Sequence, residues 1–323
     1  MCVSSIAIKI TKTRIPRTKI ILHLCFNCRI LKITTMKKTL AIAFVSALCY
    51  NAQAQQAVGT PDNLQRFKNT TTMVVLDNNP LLEYNSQIEE AVKKHWDISK
   101  YELVRFSSSE WETVRKDSTK SFIMRNTVYN DKDKTKSKFD YLYVELGGDY
   151  EYIRQMPEIA SVPICYHGVE ESSYGYKLGL LCQFLQNHIK LTTENPKLNS
   201  KNILKYYNSQ MADIHDKTLY LVKEELNPDL NTEAKIKSLY PYKFKIVSRE
   251  EVEAAIDRHD PDVVLLHKVG PEGTRKKEVR CYKVIVGAAD ARLYYFAYHM
   301  ISEKNKEGML AKDFQKLAKA KKK

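Results

Sequence analysis

Cys165-Tyr166-His167 places a thiol and an imidazole two residues apart. On a β-strand, residues i and i+2 share a face, so this spacing sets a nucleophile beside a base. The chemistry would be hydrolysis by a thiolate that the imidazole, acting as base, generates. Ala297-Tyr298-His299 holds the matching place later in the chain, without the thiol. An active site normally occurs once and a core feature recurs with its unit, so the repetition argues for structural roles. A metal reading rests on His167, His299 and His267. None of the eight histidines falls in a His-x3-His or His-Glu-x-x-His pattern, the spacing that puts two ligands on one helix face. Asp149 and Asp290 would make a carboxylate pair if the two halves faced each other, although turn aspartates more often bond their own backbone. Gly147-Gly148 and Gly287 lack the spacing of a phosphate-cradling loop, and there is no Gly-x-Ser-x-Gly elbow. No catalytic, cofactor-binding or metal-binding residue is assigned on this basis, and no cofactor is expected.

The elements that carry these residues repeat. Thr72-Met73-Val74-Val75-Leu76 and Thr218-Leu219-Tyr220-Leu221-Val222 each open a half. Each leads to an Asn-Pro turn (Asn79-Pro80, Asn227-Pro228), a helix cap (Asn85-Ser86, Asn231-Thr232) and a helix with apolar residues at helical spacing. Second strands follow at Tyr101 to Phe106 and Phe244 to Val247. Ser107 then precedes Glu110 by three, as Ser248 precedes Glu251. This is the capping box, in which hydroxyl and carboxylate satisfy each other's free backbone N–H groups. Third strands come at Phe122 to Met124 and Val263 to Leu266, then Lys-rich turns at Asn130 to Lys138 and Gly270 to Glu278. Tyr141 and Tyr282 are each followed eight residues later by Asp149 and Asp290. Fifth strands carry the Tyr-His pairs. Closing helices are expected over Tyr176 to Leu191 and Lys306 to Lys319, an insertion over Tyr150 to Glu158, a linker over Thr192 to Asn199 and a bridging helix over Asn202 to Ile214. The expected class is α/β, with two tandem similar units over 64–195 and 200–323. Each is a mixed sheet of order β-α-β-α-β-β-β-α, and each is long enough to bury a core of its own.

Met36-Lys37-Lys38, the apolar run from Thr39 to Cys49 and Ala52-Gln53-Ala54 read as an export signal over 36–54, cleaved after Ala54. The run is too short to span a bilayer. Residues 1–35 read as an upstream start. Leu48 before Cys49 disfavours a lipid anchor. The formal charge of +14 is concentrated at the ends: residues 1–54 hold nine Lys and Arg and no acid, and residues 312–323 hold six Lys against one Asp. The near-neutral body lacks the basic stripe that nucleic-acid binding needs. Beyond the leader remain Cys165, Cys182 and Cys281, enough for one disulfide or for three reduced core thiols. The C-terminal stripe Leu310, Phe314 and Leu317, surrounded by lysines, either packs on the core or meets an anionic surface.

Phe244-Lys245-Ile246-Val247-Ser248-Arg249-Glu250-Glu251-Val252, followed by Asp262-Val263-Val264-Leu265-Leu266 and a strand pair, resembles the small periplasmic α/β domains of the Tol-system propeller protein, of penicillin-binding-protein activator lipoproteins and of the curli-secretion lipoprotein. The resemblance covers about 60 residues; the first half has Ser108 where the second has Arg249. It implies a domain that works by protein contact in the bacterial envelope and supplies no catalytic residues. Two readings of function follow. One is an exported, non-catalytic binding or scaffold protein of the cell envelope, secreted or periplasmic, with an envelope protein or a second copy as partner. The other is a hydrolase of envelope or extracellular polymers with a site between the halves.

Overall fold

The structure, a computed structural model, describes residues 59–198, 202–273 and 276–322. The expected leader lies outside them. The described residues belong to one compact unit. Helix α1 (Pro61–Phe67) opens on a capping box between Thr60 and Asn63, with Pro61 at its first position. The first half then runs β1 (Thr71–Val75), α2 (Glu83–His95), β2 (Lys100–Val104), α3 (Ser108–Val114), β3 (Lys120–Tyr129), β4 (Lys138–Leu146), β5 (Glu158–Tyr166) and α4 (Leu178–Glu194). After α5 (Ile203–Asn208) come β6 (Thr218–Val222), α6 (Glu233–Lys237), β7 (Phe244–Val247), α7 (Arg249–Asp257), β8 (Val263–Val269), β9 (Arg280–Gly287), β10 (Leu293–Met300) and α8 (Ala311–Ala318).

The two sheets have one topology. The first is ordered β2-β1-β3-β4-β5 and the second β7-β6-β8-β9-β10. In each, the first strand pairs parallel with the second and third, and the rest of the ladder is antiparallel. The cause is the connections: strands joined through a helix pair parallel, and strands joined by short loops pair antiparallel. Both capping boxes form, Ser107 with Glu110 and Ser248 with Glu251.

Backbone hydrogen bonds fix which residues correspond. Thr71 N–H donates to Thr119 C=O as Thr218 N–H does to Asp262 C=O. Gly147 N–H donates to Lys120 C=O as Ala288 N–H does to Val263 C=O. Tyr141 therefore matches Tyr282, and Asp149 matches Asp290. Thr71, rather than Thr72, is the counterpart of Thr218. At Gly147 a side chain is excluded, because a Cβ would lie 2.3 Å from Asp117 O.

The shared topology also fixes the layers. Trp111 of α3 packs with Met73, Phe122, Met124 and Tyr143 on the outer face of the first sheet. The opposite face, with Val74, Ile123, Leu142 and Val144, meets α2 and α4. The same cluster takes in Val252, Ala255 and Ile256 of α7 and Val263, Leu265, Val284 and Val286 of the second sheet. The far face of that sheet packs on α6 and α8 through Ile236, Phe314 and Leu317. The order is thus α3, first sheet, α2 and α4 with α7, second sheet, α6 and α8. Each half keeps an apolar cluster of its own, as expected, but the largest core belongs to both. Helix α4 shows why. Leu178, Leu180, Leu181, Cys182, Phe184, Leu185 and Ile189 are all buried, and a helix apolar on most sides has to be covered on most sides.

Local differences have local causes. Asn85 is not a cap: α2 starts at Glu83, and the buried Asn85 amide accepts from Asp77 N–H and donates to Asp77 and Asn79 C=O, bracing the turn. The bridging helix breaks after Asn208 into a 3-10 stretch, Met211–Asp216. There Ser209 Oγ donates to Tyr206 C=O, a local bond that competes with the helical ladder. Helix α4 runs on through Thr192, into the expected linker. Helix α8 starts late because Gly308 is left-handed at φ +98°, and its would-be Cβ lies 2.4 Å from Asn227 N. Among the described residues no helix is long and apolar enough to cross a membrane.

Candidate functional site

Cys165 and His167 are brought together, but through a carboxylate that sequence reasoning passed over. Asp140 on β4 lies opposite Cys165 in the ladder. Its Oδ2 accepts a long bond from Cys165 Sγ at 3.9 Å, and His167 Nδ1 lies 3.0 Å from Oδ1. Thr127 Oγ1 donates to the same Oδ1 at 2.6 Å. His167 is half exposed, whereas Cys165 is buried. Burial, and then the Asp140 carboxylate, push the Cys165 thiol well above its ordinary pKa. A thiol nucleophile needs the opposite, a neighbour that stabilises thiolate. With Asp140 between sulfur and imidazole, the arrangement is a Cys–Asp–His hydrogen-bond chain. The local signal for Asp140 was an acid standing between Phe139 and Tyr141 in a strand pattern.

Next along β3, Arg125 reaches across the carboxyl ends of the parallel strands. Its guanidinium pairs with Asp77 at 2.9 Å and Glu171 at 3.6 Å and stacks over the Tyr84 ring at 4.4 Å. Helix α2 and the loop before α4 are held to the sheet through it.

His299 is not the counterpart of His167. In the β9–β10 ladder His299 faces Cys281, and Cys281 matches Asp140, so His299 takes the place of Cys165. His167 lies one residue beyond β5. Bulges at different points of the two ladders produce the offset. Cys165 and His167 are therefore not repeated in the second half, and burial decides their roles instead. His299 is buried against a second network. Lys283, at the position Leu142 fills in the first half, donates to His299 Nδ1 at 3.0 Å and to Asp313 Oδ2 at 2.8 Å. Tyr295 OH donates to Asp313 Oδ1, and His299 Nε2 meets Lys306 C=O. These partners assign the neutral imidazole with its proton on Nε2. Burial, followed by the Lys283 ammonium, lowers the His299 pKa to about 4.

His267 lies in neither network. Its Nε2 donates to Pro163 C=O of β5 at 2.8 Å, tying the two sheets together. Burial, then Lys177 and Lys268, lower its pKa to about 3. The halves are also joined by a buried ion pair, Lys177 to Glu225 at 2.7 Å, and by Arg280 gripping Asp133 through two bonds of 2.6 and 2.8 Å. Neither these pairs nor the Lys283–Asp313 pair was foreseen, although Lys177 and Lys283 each interrupt an apolar run.

The remaining candidates stay apart. Asp149 is exposed near Lys116, and Asp290 accepts from Arg292 N–H, the turn role expected of it. Cys165, Cys182 and Cys281 are free and buried. Among the described residues no cluster of three His, Cys, Asp or Glu side chains is placed to hold a metal. Two open depressions of about 560 Å³ each are lined by Thr218, Glu233, Lys237 and Lys245 in one case and by Asp213, Asp216, Arg292 and Lys322 in the other; neither is lined by Asp140, Cys165 or His167. Phe314 and Leu317 of the C-terminal stripe are fully buried, and Lys322 pairs with Asp216.

The other surface with a clear physical consequence is the rim of the sheets. Two of the four edges are closed. On β5, Gly59 N–H donates to Glu158 C=O and His267 to Pro163 C=O. On β10, the Asn208 amide pairs with both the N–H and the C=O of Phe296, imitating a neighbouring strand. β2 and β7 are the outer strands at the other ends. Leu76 N–H donates to Val104 C=O and Leu219 N–H to Lys243 C=O, so the alternate residues Tyr101 and Leu103, and Phe244 and Ile246, aim their backbone groups outward. Comparison of this chain with family models, with curated proteins and with solved structures finds no match.

Proposed function

We propose that this chain is an exported, non-catalytic binding or scaffold protein of the bacterial cell envelope that acts by protein–protein contact along its sheet edges. The observation that carries the reading is the pair of equivalent outer strands, β2 and β7, beside two edges that are capped. An uncapped edge offers unpaired N–H and C=O groups to an incoming strand. The resemblance of residues 244–266 to envelope contact domains supports the same reading, as does the export signal expected over 36–54. The hydrolase reading draws little from the geometry, because Asp140 separates the thiol from the imidazole and burial disfavours the thiolate. The test is capture from envelope extract with the wild-type chain and with Leu103→Pro and Ile246→Pro, which remove outward N–H groups and spare the internal ladder. Partners recovered by the wild type and lost with a proline variant of unchanged circular dichroism are expected. Recovery of the same partners by both proline variants would overturn the edge reading.

A further inference from the structure

The two outer strands are built alike but charged differently. The register of each sheet matches Lys100 to Lys243, Tyr101 to Phe244, Glu102 to Lys245, Leu103 to Ile246 and Val104 to Val247. Four of the five positions conserve character, and the one that does not changes sign. Lys100, Glu102, Lys243 and Lys245 are all exposed. None of the four forms an ion pair among the described residues.

That difference selects an occupant. Tyr101 aims its N–H and C=O outward, so an antiparallel strand centred on it would exchange both bonds with the residue opposite. When the strand is β2 of a second copy, related by a two-fold axis, Tyr101 faces Tyr101 and Lys100 faces Glu102 of the second copy, once on each side of the axis. Lys100 and Glu102 share the face that carries α3, and directly opposed side chains in such pairs lie about 4.5–5.5 Å apart at Cβ. Pairing β7 with itself in the same way would set Lys243 against Lys245 twice. Pairing β2 with β7 would set Glu102 against Lys243 but Lys100 against Lys245. Only the β2–β2 arrangement satisfies every charge, and Lys245 guards the equivalent edge against self-association.

We infer that the occupant of the β2 edge is a second copy of this chain, joined in an antiparallel, two-fold pairing centred on Tyr101 that makes one continuous sheet of the two first-half sheets. The inference rests on the edge reading of the proposed function and narrows it to one partner at one edge. The contact is a short one, so the dimer is concentration-dependent and weakened by salt.

The test uses the charge pattern against itself. Sedimentation velocity of the full chain, run over a range of concentrations at low salt, is expected to show reversible dimerisation. Lys100→Glu alone sets Glu against Glu twice, and Glu102→Lys alone sets Lys against Lys twice. Each is expected to weaken dimerisation by about tenfold or more, from the usual size of cross-strand charge pairs. The double variant Lys100→Glu/Glu102→Lys restores the complement and the dimer. An equimolar mixture of the two single variants is expected to form a heterodimer where each alone stays monomeric, a result misfolding cannot imitate. A wild-type chain that stays monomeric throughout, or a dimer indifferent to these changes, overturns the inference. If that happens while Leu103→Pro still abolishes capture of an envelope protein, the edge reading stands and only the choice of partner falls.

Discussion

The buried pair between Lys177 and Glu225 allows a test of whether the halves fold as one. Lys177 precedes α4 and Glu225 follows β6, so the pair crosses the shared core, with side chains only 1% and 2% exposed. Lys177 Nζ lies 2.7 Å from Glu225 Oε1 and also meets Leu266 C=O at 3.3 Å; Tyr176 OH donates to the same Oε1. Burial, opposed by Glu225, lowers the Lys177 pKa. Taking both charges out of water offsets most of their attraction, so a pair this deeply buried contributes little net stability. Breaking it is another matter. Lys177→Met leaves a buried carboxylate without its cation, and Glu225→Leu leaves an ammonium facing His267 and Lys268; each is expected to cost about 3–5 kcal/mol. The double variant removes both charges and should lie within about 1–2 kcal/mol of wild type, giving a coupling of several kcal/mol. Urea denaturation read by tryptophan fluorescence and by circular dichroism checks this. Both tryptophans, Trp96 and Trp111, lie in the first half, whereas Glu225 lies in the second. If Glu225→Leu lowers the circular-dichroism midpoint and leaves the tryptophan midpoint in place, the shared core is refuted. Additive single losses would refute the pairwise account.

Acid should destabilise the fold from about pH 6.5 downward. Burial, chiefly, holds His188, His267 and His299 at about 4, 3 and 4. The unfolded chain then binds more protons than the folded one below the unfolded value near 6.5, so stability falls with falling pH. By pH 4.5 each histidine accounts for about 2–3 kcal/mol, and His267→Asn should flatten the profile; constant stability between pH 7 and 5 would count against buried neutral imidazoles. Cys165 is expected to react with iodoacetamide at the rate of global unfolding, as do Cys182 and Cys281, because all three thiols are buried and free. Fast labelling of native Cys165 alone would revive it as a nucleophile.

The class and the two similar units were legible because they depend on local patterns. β-Branched and apolar runs marked the strands, Ser107 with Glu110 and Ser248 with Glu251 marked helix starts, and the Tyr-to-Asp spacing carried true register from one half to the other. These features are written within a few residues of chain, where propensity and capping act. What the sequence left open is what long-range contact decides. Strand order, the offset between His167 and His299, and the placing of Asp140 between thiol and imidazole follow from bulges and from pairing across the sheet. The sharing of one core by two repeated units follows from stacking the first sheet's helices against the second sheet. A period of apolar residues tells that a face is buried and is silent on what covers it. Lys177 and Lys283 interrupt apolar runs, a local signal that the sequence reading passed over, and Glu225 and Asp313, the partners that make their burial tolerable, could be found only in three dimensions.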